Sequence, residues 1–424
     1  MPGGTSLALY RGLTGVLAPA IPALLQNRIR RGKEDPGRIG ERHGIASLPR
    51  PHGTLIWIHA ASVGESLAVL SLTNRLLEEP DRSVLVTTGT VTSAELMQQR
   101  LPPRAFHQYV PLDLRANVVR FLHHWRPDLA LFVESELWPN LLLETRRRDI
   151  PLALINARLS AKSFEGWKRA PGLARLMFGS FDLCLAQDDA IARRISALGG
   201  RNVRVAGNLK ADAPPLPVDE SALHLLRCSI AGRPVFLAAS THEGEDQAIF
   251  AAASAIRQSG ALAIVVPRHI ERGETLQSLA EARGFICTRR KNGALPGPQT
   301  EIYIADTMGE LGLFYRVAQV AFLGGSLIPH GGQNPLEAAC LSVPVLAGPH
   351  TGNFEDIFRA LFEAQGVGRI TSSEELAQLA CRLLQNSEEA ARIGEQAKAA
   401  ADRLGGALAH TLEATERLLA NARA

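Results

Sequence analysis

The chain is predicted to be α/β, with two Rossmann-like domains facing across a cleft, and three observations carry that prediction. Short apolar stretches alternate with longer amphipathic ones, at 55–60, 84–88, 129–133, 152–155, 183–186 and 203–206, and again at 235–239, 261–266, 302–305, 320–323, 343–347 and 367–370. That alternation is the pattern of βαβ units and parallel sheets. Between the two series, Pro214, Pro215 and Pro217 interrupt it. Finally, 424 residues exceed one ordinary core and suggest two domains of roughly 200 residues each. The expected division is residues 1–33 as an N-terminal segment, 34–210 as the first Rossmann-like domain, 211–220 as a linker and 221–424 as the second Rossmann-like domain.

Composition narrows the class. Hydrophobic residues make up 46% and charged residues 21%, which describes a globular chain rather than a disordered or collagen-like one. The five cysteines are far apart with no C-x-x-C pair, so they read as reduced core thiols of a cytosolic protein, and a structural zinc site is not expected. Residues 1–50 hold eight cationic and three anionic side chains, while the whole chain carries only +4. Ahead of Arg28, Arg30, Arg31 and Lys33 lies an apolar segment, 7–25, broken by Arg11, Gly12, Gly15, Pro19 and Pro22. It is too interrupted to span a bilayer but fits an interfacial anchor, against the alternative of an N-terminal core helix. No signal-peptide cleavage site follows it. Aromatic residues at 5% argue against nucleic acid as partner.

The first strand, 55–60, hands over to Ala61-Ser62-Val63-Gly64-Glu65 and a helix expected to run over 66–79 until Pro80. Glu65 therefore sits on the edge where such sheets bind ligands, as a candidate base. Ser62-x-x-Glu65 is also a capping box, and a capping carboxylate would have its pKa lowered and be a weaker proton acceptor. In the second half three strand ends lead into turns of little bulk that could offer backbone N–H groups to a phosphate. These are Ser240-Thr241-His242-Glu243-Gly244-Glu245, Gly324-Gly325-Ser326, and Gly331 to Glu337, with Asn334 as cap and Pro335 at the first helical position. Glu337 could hold both hydroxyls of a ribose, and Arg268, after the strand 261–266, could grip a phosphate bidentately. No D-x-D occurs, so a donor with a single phosphate and no divalent ion fits best. Lys210 offers a further cation, or is a solvated lysine beside the linker.

With these residues in place the chain resembles the Kdo (3-deoxy-D-manno-octulosonic acid) transferases of lipid A biosynthesis, which have the GT-B fold. The matching blocks include Gly40-Glu41-Arg42-His43-Gly44, Ser62-Val63-Gly64-Glu65, Glu134-Ser135-Glu136-Leu137-Trp138-Pro139-Asn140 and Asn156-Ala157-Arg158-Leu159-Ser160. Further on come Gly207-Asn208-Leu209-Lys210, Val266-Pro267-Arg268-His269, Asp306-Thr307-Met308-Gly309-Glu310-Leu311 and Asn334-Pro335-Leu336-Glu337. The resemblance implies inverting transfer of Kdo from CMP-Kdo to the tetra-acylated lipid A precursor, without metal or other cofactor. The setting it implies is the cytoplasmic face of the inner membrane of a Gram-negative bacterium. It gives Glu65 the role of proton acceptor and Glu134 and Lys210 that of transition-state stabilisers. Pro267, Arg268, Met308, Gly309, Glu310, Asn334, Pro335, Leu336 and Glu337 match the nucleotide-sugar site. Ser240, Thr241, His242, Gly325 and Ser326, with Glu41, Arg42, Glu136 and Arg158 on the acceptor side, are additional candidates. The rival readings are a nucleotide-sugar epimerase of the same fold and a non-catalytic sugar-nucleotide-binding membrane protein.

Overall fold

The structure is a computed structural model that describes residues 4–212 and 215–423. It divides into two compact units, Met1–Ala213 with Gly405–Ala424, and Pro214–Leu404. Part of the predicted linker, residues 213 and 214, lies outside the described residues, as do residues 1–3 of the predicted N-terminal segment.

The first unit holds a seven-stranded parallel sheet of β1 (Thr54–His59), β2 (Arg82–Thr88), β3 (Ala105–Tyr109), β4 (Leu129–Val133), β5 (Leu152–Ala157), β6 (Leu183–Ala186) and β7 (Val203–Val205). Its order is β3-β2-β1-β4-β5-β6-β7, so the chain reverses direction across the sheet between β1 and β4. Both faces are covered by helices, which explains why β1 is apolar at nearly every position. Leu55 and Trp57 enter one core while Ile56 and Ile58 enter the other. Trp57 is packed edge-on against Phe132 and tilted against Phe121.

The second unit repeats the plan with β8 (Val235–Thr241), β9 (Leu262–Pro267), β10 (Cys287–Arg289), β11 (Ile302–Ile304), β12 (Val320–Leu323), β13 (Val345–Ala347) and β14 (Val367–Arg369). The order β10-β11-β9-β8-β12-β13-β14 puts its reversal between β8 and β12. The fold class is thus α/β with two Rossmann-like sheets, as predicted.

Four expectations need correction. The strands β3 and β10 were not foreseen: each lies at a sheet edge and mixes polar with apolar residues, so neither gives a continuous apolar run. The single helix over 66–79 is two, Val63–Ala68 and Leu70–Leu76, separated at Val69. The C-terminal end does not belong with 221–404. Helix Ala407–Arg423 buries Ala407, Ala414 and Leu419 in the core that contains Ile56 and Ile58, and Asp212 accepts the N–H groups of Gly406 and Leu408 at 2.6 Å each. All five cysteines are free, but only Cys184 is a buried core thiol, and Cys228 is exposed.

The N-terminal segment forms helices Gly4–Leu17 and Ile21–Arg30. Leu25 is buried and Arg28 pairs with Glu34 at 2.8 Å, whereas Val16 and Leu24 are exposed at 79% and 54%. No described helix is long and apolar enough to cross a membrane.

Candidate active site

In the first unit the predicted acidic residues collect at the carboxyl ends of β1 and β4, where the sheet order reverses and ligand crevices form. Glu65 follows β1. Ser62 is the N-cap of Val63–Ala68 and Glu65 does return to the turn, but one residue further back than a capping box: it accepts the Ala61 N–H at 2.8 Å and the Ser62 hydroxyl at 2.7 Å. The turn is fixed from below, since Ala61 accepts the N–H of Gly89, whose carbonyl takes a hydrogen bond from Arg42 at 2.6 Å. Capping was expected to lower the Glu65 pKa. Instead it is raised to about 7, because burial dominates and the neighbouring carboxylates of Glu134 and Glu136 add to it, against the two donors.

Glu134 leaves β4 in the left-handed conformation, φ 58°, an uncommon state for a residue with a side chain. Its backbone is tied on both sides, N–H to the Ile155 carbonyl at 3.1 Å and carbonyl to the Arg158 N–H at 3.3 Å. Its carboxylate takes a 2.8 Å salt bridge from Lys210. Lys210 is therefore neither a solvated lysine nor a cation awaiting a phosphate. Two buried asparagines aim its loop: Asn156 accepts the Leu209 N–H and Asn208 the Lys210 N–H, each at 3.0 Å. Gly64 lies beneath its ammonium, where an added Cβ would sit 3.9 Å from Nζ. Glu136 is partly buried and bonded by the Trp138 indole at 2.7 Å; burial raises its pKa.

Glu41 and Arg42 take different parts from those foreseen. Glu41, 1% exposed, is saturated by Arg38, Ser47 and the Tyr109 N–H. Arg42 is spent on Glu34, Gly89 and Val110. Both brace the wall behind the turn, and neither offers a group to a ligand.

In the second unit the reversal point is filled from within. Glu245, fully buried, accepts four backbone N–H groups: His242 at 3.0 Å, Gly325 at 2.8 Å, and Ser326 and Leu327 at 3.2 Å each. The Gly325 and Ser326 amides predicted to cradle a phosphate are thus already occupied by the protein's own anion. Ser326 Oγ also bonds the Leu323 carbonyl and the Gly348 N–H. Gly324 is required here, since a Cβ would lie 2.3 Å from the Ser240 carbonyl oxygen. Ser240 itself is left-handed, φ 55°, and the carbonyl of buried Thr241 accepts the Arg268 N–H at 2.9 Å.

Around this plug stand the groups still available. The Arg268 side chain, exposed beyond buried Pro267, has no hydrogen-bond or ion-pair partner among the described residues. His242 packs against His330 with the rings tilted and their centroids 4.0 Å apart, and contacts Gln333 at 3.1 Å; burial, with His330, His269 and two arginines nearby, lowers its pKa to about 4. Asn334 bonds the Leu336 N–H at 3.1 Å, with Pro335 rather than Asn334 at the cap of Leu336–Ala339. Glu337 is raised to about 7 by burial, which outweighs Asn334 and the attraction of Arg268. Met308 is 72% exposed and Gly309 has φ 80°. Glu310 is bound bidentately by Arg290, at 2.7 and 2.6 Å, which lowers its pKa, so it anchors its loop.

Sequence reasoning missed Glu245, the second acid of Thr241-His242-Glu243-Gly244-Glu245, because the amides of Gly325, Ser326 and Leu327 that it accepts lie 80 to 82 residues along the chain; Glu243 is exposed. Among the described residues no three His, Cys, Asp or Glu side chains converge as a metal site would require. A cavity of about 570 Å³ lined by Leu223, Arg227, Tyr315 and Pro344 opens at the amino ends of β12 and β13, the opposite edge from these groups.

Two parallel Rossmann-like sheets, each with charged side chains at its carboxyl edge, define the GT-B fold class. UDP-GlcNAc 2-epimerase from Neisseria meningitidis shares the fold, with a TM-score of 0.58 over 86% of this chain and 100% of that one, at 13% identity. Sequence decides more finely. Residues 37–213 match the family described as 3-deoxy-D-manno-octulosonic-acid transferase (kdotransferase). The 3-deoxy-D-manno-octulosonic acid transferase of Haemophilus influenzae is 38% identical over 83% of this chain and 84% of its own. That of Rickettsia bellii is 35% identical over 90% and 92%. The chain belongs to the 3-deoxy-D-manno-octulosonic acid transferase family, and the epimerase reading is left with the fold alone.

Proposed function

We propose that this protein transfers Kdo from CMP-Kdo to a hydroxyl of the tetra-acylated lipid A precursor, with inversion and without a metal ion. The observation that carries the reading is Glu65: a buried carboxylate with its pKa raised to about 7, beside the Glu134–Lys210 pair, is matched to a proton acceptor working near neutrality. Glu65 takes the proton of the acceptor hydroxyl as its oxygen bonds to the anomeric carbon of Kdo. The bond from that carbon to the phosphate oxygen breaks, and CMP leaves with the electron pair. Glu134 stabilises the positive charge that develops on the sugar, and Lys210, 2.8 Å away, holds its carboxylate in place. In the second unit, unpaired Arg268 takes the CMP phosphate and Glu337 the ribose hydroxyls, with Pro267, Met308 and Gly309 shaping the nucleotide site. A single cationic side chain for a single phosphate, together with the lack of D-x-D, supports metal independence. Exposed Val16 and Leu24 near a basic segment support contact with the inner membrane's cytoplasmic face.

The test supplies CMP-Kdo, generated in place, with the lipid acceptor and a chelator, and follows Kdo-lipid by mass. Product from wild type and little from Glu65→Ala that still folds and binds CMP is expected. Full turnover by that variant would remove the base, and turnover of nucleotide sugar without lipid would favour an epimerase.

A further inference from the structure

Two adjacent arginines grip the loop that leaves β11. Arg289 ends β10, which pairs in parallel with β11, and Arg290 follows it. At the start of the loop, Arg289 bonds Oδ2 of Asp306 through Nε at 2.9 Å and Nη2 at 2.7 Å. At its end, Arg290, 6% exposed, binds Glu310 with two nitrogens and donates a third bond to the Tyr303 hydroxyl at 3.1 Å. Tyr303 is in turn fixed to the Ala294 carbonyl at 2.6 Å. Thr307 donates its hydroxyl to Glu310. Every polar side chain of residues 306–310 is therefore directed onto the loop itself or onto an arginine, and the Asp306 side chain is 3% exposed.

What the loop leaves available is its main chain. Among the described residues, the N–H and carbonyl groups of Thr307, Met308 and Gly309 make no hydrogen bond. Exposed Met308 adds a thioether that suits the flat face of a base, and Gly309, φ 80°, supplies a turn that a side chain would strain. Cytosine carries a 4-amino donor beside its N3 acceptor, whereas uracil carries an acceptor and an N–H donor at the same places. A carbonyl next to an N–H thus satisfies cytosine and opposes uracil at both positions. We propose that Arg289 and Arg290 are positioning residues that set the main chain of 307–309 to read the base of the donor nucleotide, and so select cytosine over uracil. The inference rests on the reading of the second unit as the one that binds CMP.

The full chain is titrated with CMP and with UMP by calorimetry. The two share ribose and phosphate, so the ratio of their affinities isolates the base. Wild type is expected to favour CMP about tenfold or more, the size of an opposed polar pair. R290Q is expected to bind CMP about tenfold more weakly and UMP within about twofold of wild type, so that the preference closes. With CMP-Kdo as donor, KM should rise by about tenfold while kcat stays within about twofold, a split that general loss of structure would not give. Should R290Q not fold, R290K carries the measurement: it keeps the charge but offers Glu310 a single bond, and the preference should fall about threefold. Wild type that binds neither nucleotide would overturn the reading of this unit as the nucleotide site, and this inference with it. Wild type that binds both equally, or R290Q that keeps the wild-type ratio, overturns the proposal and leaves that reading standing.

Discussion

Each unit has one point where its sheet reverses order, and the two use a buried carboxylate there in opposite ways. In the first, Glu65 accepts one backbone N–H and one hydroxyl and shares its surroundings with two further carboxylates. In the second, Glu245 accepts four backbone N–H groups. Burial raises the pKa of both. The number of donors separates them: four fixed N–H groups make a carboxylate part of the scaffold, while two leave it able to exchange a proton. A carboxylate at a strand end is thus a reagent or a brace according to how many backbone amides it closes.

The comparison is broken most directly at Glu65. Glu65→Gln should reduce Kdo transfer by about 10²–10⁴, the usual contribution of a positioned general base, with CMP binding intact by calorimetry. In wild type the transfer rate should rise with pH up to about 7 as Glu65 ionises; a flat profile from pH 5 to 8 would remove it as the base.

Glu245→Ala should act on the other side of the contrast. Leaving four buried N–H groups unpaired should lower unfolding stability in urea by about 3–5 kcal/mol. A loss under about 1 kcal/mol would show that Glu245 is not a brace.

Arg268→Ala sharpens the distinction between held and available groups. Because Arg268 makes no hydrogen bond or ion pair among the described residues, its loss should leave the melting temperature nearly unchanged while weakening CMP binding about tenfold or more, as loss of a charge-assisted bidentate contact does.

Glu65 also makes a smaller prediction about stability. It binds its proton more tightly folded, at about 7, than at the ordinary 4.5. Between those values the folded protein holds more protons, so stability falls as pH rises; the cost is absent below about pH 4.5 and complete above about 7. Glu65→Gln should therefore raise stability by about 1–2 kcal/mol at pH 8 and change little at pH 4.5. Smallest of all, Glu134→Gln removes one of the charges that raise Glu65, so the acidic limb of its residual activity should move to lower pH by less than about 1 unit.

Much of this was legible in the chain. Strands buried on both faces, such as β1 and β4, carry unbroken apolar runs (residues 55–58 and 129–133) and announce themselves, whereas edge strands β3 and β10 mix in polar residues and do not. Glu65, Glu134, Lys210, Arg268 and Glu337 could be named because each stands just after a strand, or in a motif that resembles a known family. What the pattern of residues could not supply was the partner of each charge.

By itself, then, the sequence determined the α/β class, the two sheets and the strand ends where charged groups gather, because hydrophobic periodicity and turn residues are local quantities. Tertiary structure alone decided that Lys210 holds Glu134, that Glu245 rather than a ligand fills the Gly325–Leu327 amides, that the last helix returns to the first unit, and that Glu65 rises instead of falling in pKa. Those outcomes depend on burial and on charges distant along the chain, which a local reading does not contain.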